Sequence, residues 1–258
     1  MAIQRVRSKW AKTSVLLRSP LLAPRIPDTK LWSADTLATM LDQYGMVYVK
    51  PDGGTFGKGV MRVWKAGEGE YSFQSGTVAH ALTSVSSLVE QLESIIGGRG
   101  YLIQRGISLL QLEGRSFDLR VMVQRNGANR WETTGMIGRL AQANKIVTNY
   151  HSGGTLTEVS VLLRPYLDLE SQQQLYEQLR QLGTDTANQL SAAYPGLKEI
   201  GLDVALDDQF RFWVLEVNTK PDPYIFRALK DPAVFRKIYR YAVRYGRIKR
   251  PKKRRAAK

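Results

Sequence analysis

Three times along the chain, two short apolar runs flank a tight polar turn, and each pair precedes a stretch of helical periodicity. The first pair is MVYVK (46–50) and VMRVW (60–64), joined by the glycine-rich PDGGTFGKG (51–59). The second is FDLRVMVQ (117–124) and WETTGMIGR (131–139) around Asn126-Gly127, and the third is EIGLDVALDDQFRFWVLEVN (199–218), turned at Asp207-Asp208. Strand pairs joined this tightly are antiparallel hairpins. The helical stretches run over Ser86–Ile96, Glu170–Tyr194 with an interruption expected near Gly183, and Pro232–Tyr245. One more helix is capped by Ser33, carries Leu37, Met40, Leu41 and Tyr44 at helical spacing, and stops at Gly45. YLIQR (101–105) adds a short apolar strand. Hairpins alternating with helices predict an α+β fold of two subdomains, not a doubly wound parallel sheet, with any active site between the sheets.

Composition then removes whole classes of chemistry. The 258 residues are 43% hydrophobic, ample for a packed core, and contain no cysteine. Disulfide scaffolds, thiol catalysis and thiolate metal sites are thereby excluded. Two histidines, His80 and His151, cannot make a multi-histidine metal centre. No apolar run has the ~18–20 residues of a spanning helix, and MAIQRVRSKW lacks the apolar core of a secretory leader. A cytoplasmic protein is expected. The net charge of +15 sits at the two ends. Residues 1–30 hold seven Lys/Arg and only Asp28, residues 244–258 hold nine and no acid, and 31–243 carries 22 of each sign. The body is no generic polyanion binder; the low-complexity tail 246–258 could serve as an anchor for one.

Two hairpins carry residues that can do chemistry. In 47–63, glycines admit phosphate oxygens close to backbone N–H groups while Lys50 and Lys58 supply positive charge. This is not a P-loop: Gly53 and Gly57-Lys58 are separated by three residues instead of four, Gly59 replaces Ser/Thr, and a strand follows. No kinase His-Arg-Asp triplet exists either. The second hairpin brings Asp203, Glu216 and Asn218 together, since Glu216 and Asn218 share a face and the turn sets Asp203 at the same height. Three converging oxygen donors suit magnesium. Asp118 and Arg120 also alternate on one face, either as a surface ion pair or as part of a site that Arg139 closes.

Together, V-x-V-K-P-x-x-G-x-x-G-x-G-V, Y-L-I-Q, F-D-L-R-V and D-x12-E-V-N resemble the ATP-grasp superfamily. The spacing Asp203–Glu216–Asn218 is similar to its D-alanine–D-alanine ligases, and F-D-L-R-V followed by Asn149 and Gly153-Gly154 to its RimK-type glutamate ligases. Lys9-Trp10, LAPRIPDT (22–29), the helix at 35–44 and residues 48–59 are most similar to the spore-coat-associated YheC/YheD-like proteins. The resemblance implies an N-terminal segment (1–29), a small subdomain with the glycine flap (30–105), a large subdomain with the metal site (106–245) and the basic tail (246–258). It implies ATP and Mg2+ as cofactors, with Lys9 and Lys50 on the α/β-phosphates and Gly54, Phe56, Gly57, Lys58 and Gly59 in the flap. Gln104 would read the adenine amino group, with the backbone of Arg105–Ile107 completing the edge. Asp118 would join the nucleotide site, Arg139 and Lys50 would act in phosphoryl transfer, and Asp203, Glu216 and Asn218 would ligate the metal. Asn149, His151 and Gly153-Gly154 would form a loop over the acceptor, with Lys220 beside it.

The implied activity is an ATP-dependent carboxylate–amine ligase working through an acyl-phosphate on a small molecule or peptide. The alternatives are a kinase of a small acceptor and a nonenzymatic spore-associated or polyanion-binding protein. Only eight residues precede Lys9, where ligases of this kind carry a full N-terminal domain, so the expectation is either a partner subunit or protein that binds the acceptor or a trimmed ATP-binding module.

Overall fold

A computed structural model describes residues 3–54, 57–143, 145, 148 and 153–249. Two antiparallel sheets form the frame. The first has the order β1 (Thr29–Leu31), β6 (Tyr101–Arg105), β2 (Met46–Pro51), β3 (Met61–Gly67), β4 (Glu70–Ser75) and β5 (Val78–Leu82). Helices α2 (Ala34–Tyr44) and α3 (Val85–Ile96) cover one face. Their apolar rows Leu37/Met40/Leu41 and Leu88/Leu92/Ile96 meet Val47, Val49, Met61, Val63 and Phe73 in one core. Both helices begin on a serine whose Oγ accepts an N–H three residues on, Ser33 from Thr36 and Ser84 from Ser87, each at 3.1 Å. Both end on a left-handed glycine, Gly45 and Gly97. The hairpin of β4 and β5 has no counterpart among the sequence expectations. Nearly every β5 residue is exposed, so no alternation betrays it.

The second sheet has the order β10 (Thr155–Thr157), β9 (Trp131–Leu140), β8 (Arg115–Arg125), β11 (Glu199–Leu206) and β12 (Phe212–Asn218), and the two-residue β7 (Gln111–Leu112) pairs with β8 off this path. Its two faces are used differently. Phe117, Leu119, Val121 and Val123 join Leu162 of α4 (Val159–Leu163) and Leu179, Leu182 and Leu190 of α5 (Leu169–Ala193) in the larger core. The alternate residues Asp118, Arg120, Met122 and Gln124 point the other way. There Met122 packs with Phe226 and with Ile238 of α6 (Pro232–Arg244), and Asp118 and Arg120 are left lining a cleft.

The interruption expected near Gly183 is overturned, because α5 runs unbroken through it. A Cβ there would stand 2.8 Å from Thr133 Oγ1 and 2.9 Å from Val123 Cγ2, so the glycine serves close approach of helix to sheet. The tail read from position 246 also starts later. Arg247 N donates to Ala242 O at 2.8 Å, and the Arg247 side chain pairs with the buried Glu199 at 3.1 Å.

Candidate active site

Asp52, the first turn residue after β2, organises the phosphate side. Its carboxylate accepts from Ser8 Oγ at 3.0 Å and Trp10 N at 2.7 Å, and its carbonyl accepts from Lys9 N at 3.0 Å. Ser8 is also the N-cap of α1 (Lys9–Leu16), a helix absent from the sequence expectations. These bonds dock α1 onto the glycine turn. Lys9 Nζ consequently lies 3.3 Å from Gly54 O and 3.6 Å from Glu216 Oε1.

Lys50 stands on β2 with Val47 and Val49 turned to the core and its own side chain to the cleft. Its Nζ donates to Gln104 Oε1 at 2.7 Å and reaches the second sheet at Leu215 O, 3.0 Å away. That carbonyl is available because Asp203 faces Glu216 while Val204 faces Val214, which leaves Leu215 as the extra residue of a β-bulge. Burial pushes the Lys50 pKa down to about 8; Glu216 opposes the shift and Lys9 adds to it. Lys12, one turn beyond Lys9, donates to Val6 O at 3.1 Å, and burial lowers its pKa too. Lys12 has no counterpart among the sequence expectations, although its three-residue spacing from Lys9 places the two on one helix face.

On the second sheet, strand register decides the charge pairing. Asp118 lies opposite Arg139, and Arg120 opposite Asp203. Arg139 grips Asp118 with two donors, at 2.8 and 2.5 Å, and reaches Asp203 Oδ2 at 3.1 Å. Arg120 Nε donates to Asp203 Oδ1 at 2.6 Å. The ion pair is therefore buried and cross-strand, Asp118 with Arg139, and the Asp118–Arg120 surface pair is overturned. Burial works to raise the Asp203 pKa, but the guanidinium groups of Arg120 and Arg139 override it and hold the carboxyl below its ordinary value. Burial likewise would lower the Arg139 pKa, and Asp118 and Asp203 reverse that.

Asp203, Glu216 and Asn218 are brought together as expected from their spacing. Among the described residues no cluster of three or more His, Cys, Asp or Glu forms a cage for a metal; the set here is two carboxylates and an amide. An all-oxygen set suits a hard cation. Of the roughly four acceptor sites on a carboxylate, Asp203 uses three, for Arg120, Arg139 and Asn218 Nδ2 at 3.5 Å. One remains. Among the described residues Glu216 has only its long contact to Lys9, and Asn218 turns its nitrogen to Asp203 and so keeps its oxygen for the cleft. The three residues fit a divalent cation, with Glu216 the principal charge.

All of this converges on one cleft of about 570 Å³ between the sheets. Its lining includes Lys9, Lys50, Gly54, Gly57, Lys58, Gln104, Arg105, Ile107, Asp118, Arg139, Asp203, Glu216 and Asn218. Lys220 and Arg120 are there as well, and so are Tyr48 and Arg247, which have no counterpart among the sequence expectations. Eight Lys/Arg against four Asp/Glu make the lining attractive to an anion. Two expectations change. The side chain of Gln104 is not free for a base, since its oxygen accepts from Lys50 and its nitrogen donates to Thr29 Oγ1 at 2.9 Å. Gly59 turns away from the cleft: with φ +76°, a Cβ on it would meet Tyr101 Oη at 2.8 Å. Phe56, Asn149 and His151 lie outside the described residues.

Among the described residues no helix is long and apolar enough to cross a membrane. A family model described as YheC/D like ATP-grasp matches residues 2–248. The chain is 26% identical over 226 residues to endospore coat-associated protein YheD of Bacillus subtilis (strain 168), covering 85% of this chain and 49% of that protein. It is 24% identical over 220 residues to YheC of the same organism, covering 83% and 59%. The chain thus spans about half the length of these relatives. By structure it is similar to the D-alanine-D-alanine ligase of Coxiella burnetii, with TM-score 0.53 and 12% identity over 93% of this chain and 58% of that one. It is also similar to the D-cycloserine synthetase DcsG, with TM-score 0.57 and 10% identity over 93% and 70%. Two α+β layers clasping a cationic cleft are the ATP-grasp fold, and the chain belongs to the YheC/D-like ATP-grasp family.

Proposed function

We propose that the cleft binds ATP and joins a carboxylate to an amine through an acyl-phosphate. The observation that carries this reading is the placement of Lys50 on one sheet opposite Asp203, Glu216 and Asn218 on the other, across a cavity of nucleotide size. Tyr48, Ile107 and Leu215 offer apolar walls for a base, while Lys9, Lys50 and Lys58 stand on the side of the glycine turn, where phosphates would lie. Gln104 acts through Lys50, holding its ammonium at the cleft wall. Asp203, Glu216 and Asn218 would hold a divalent cation, which when bound neutralises phosphate charge.

In the reaction a substrate carboxylate oxygen bonds to the γ-phosphorus as the bond to the ADP oxygen breaks. An amine then bonds to the acyl carbon, phosphate leaves with the C–O electron pair, and the amine gives up a proton. Arg120 and Arg139 supply fixed positive charge where the transferring phosphoryl would pass, already oriented by Asp203 and Asp118. Such preorganisation matters because phosphoryl transfer depends on positioning and charge stabilisation. Association with the spore coat is part of the same proposal, carried by what YheC and YheD are called.

The test is ADP release from ATP with magnesium, with mixtures of carboxylates and amines and with each class alone. Wild type should turn over best when both are present and should yield an amide. Glu216→Ala should lose at least about 100-fold, as expected when a principal charge at a phosphoryl-transfer site is removed. Equal turnover in the two proteins would sink the assignment.

A further inference from the structure

Between positions 232 and 249 the chain carries six Lys/Arg and no acidic residue. Three of them, Arg236, Arg240 and Arg244, recur every fourth residue of α6 and so form one row about 12 Å long. All three are exposed. Among the described residues none of the three is paired with a carboxylate, whereas Lys237, off this row, is matched by Glu132. The row ends with the Arg244 guanidinium against the turn at Gly127, and it is the chain beyond it that returns to the cleft. Past α6 the chain turns at Gly246, whose φ is +79°, and Arg247 comes back into the cleft wall. There its Nη2 donates to Pro221 O at 3.2 Å, next in sequence to the exposed Lys220. The stretch 31–243 balances 22 basic against 22 acidic residues, so the row is a local concentration of charge, and 250–258 adds six more bases in sequence.

We propose that the carboxylate substrate is an acidic polypeptide, held along Arg236, Arg240 and Arg244 and led past Arg247 and Lys220 to the phosphate end of the cleft. This rests on the carboxylate-activating reading above. A free amino acid would fill the cleft and leave the row without use. A nucleic acid has phosphates for the row but no carboxylate for the chemistry. It would also want free aromatic faces for its bases, and the rings nearest the row are engaged. Tyr241 lies under Arg240 of the row itself at 5.8 Å, Phe235 stacks on Arg227 at 4.8 Å, and Phe235 packs on Tyr239 at 5.8 Å.

The experiment uses the full chain and two readouts. The first is binding of a fluorescent twelve-residue glutamate peptide, followed by anisotropy without ATP. The second is ADP release on adding that peptide with an amine. Wild type should bind the peptide, more weakly as salt rises, and should release ADP in response. The triple variant Arg236→Gln, Arg240→Gln, Arg244→Gln should bind at least tenfold more weakly, with its KM for ATP unchanged. The matching triple lysine variant should restore binding, and an unchanged melting temperature in both shows that they fold. Equal peptide binding by wild type and the glutamine variant would overturn the proposal. So would a ribo-oligonucleotide of the same length that depends on the row while the peptide does not bind. If the peptide binds through the row but wild type turns over ATP only with free amino acids, the acceptor role falls and the ligase reading stands. If wild type turns over no ATP under any condition, that reading fails and the acceptor role with it.

Discussion

An ammonium withdrawn from water must be matched by hydrogen bonds or opposite charge, and Lys50 is matched only in part. Gln104 and Leu215 O accept from it, Glu216 and Asp203 attract it, and Lys9 and Lys12 repel it. Desolvation wins, and the pKa falls to about 8. The native state therefore releases this proton before the unfolded chain does, so Lys50 adds stability as pH rises from about 8 toward the ordinary lysine value. Below about 8 both states are charged and the burial cost is fully felt. Nucleotide binding has the opposite trend, because phosphates need the charged amine. ATP affinity should weaken above pH about 8 in wild type and stay flat in Lys50→Arg, whose guanidinium remains charged. Titration of the dissociation constant from about pH 7 to 10 checks this; a flat wild-type profile would contradict it.

Among the elements, α5 shows why a glycine inside a helical pattern reads ambiguously. Alone it signals a break, since glycine costs about 1 kcal/mol relative to alanine in a helix. Here the helix lies so close to β8 and β9 that no side chain fits between Thr133 and Val123. Gly183→Ala should therefore destabilise by about 1–3 kcal/mol despite the better helix former. A lower urea midpoint at unchanged slope would register it, and a raised midpoint would show that the sheet yields. The bulge at Leu215 is equally invisible in sequence. Counting from a two-residue Asp207-Asp208 turn would set Asp203 opposite Phe212; the turn is longer, with Leu206 facing Phe212, and the extruded Leu215 then brings Asp203 level with Glu216 and puts a carbonyl beneath Lys50.

For the molecule as a whole, the two sheets face each other across a cleft that Lys50 already bridges. A ligand bound only by the folded state stabilises it by about 2.7 kcal/mol at a hundred times its dissociation constant. ATP with magnesium should raise the wild-type melting temperature accordingly. Lys50→Met should lose most of that gain, yet melt without ligand at the same temperature or higher, because no ammonium is then desolvated. A full ATP shift in the variant would remove Lys50 from the phosphate site.

Local patterning was enough to predict the three hairpins, four of the helices, the Ser33 cap of one of them, and the meeting of Asp203, Glu216 and Asn218 on one hairpin. These follow from periodicity, caps and turn chemistry, which act over a few residues. The three-dimensional packing alone decided that Asp118 pairs with Arg139, that Gln104 serves Lys50 instead of a base, and that Arg247 belongs to the cleft wall. Each of these depends on which strand lies beside which and in what register. A side chain's partner in a buried ion pair is set by neighbours that are distant in the chain.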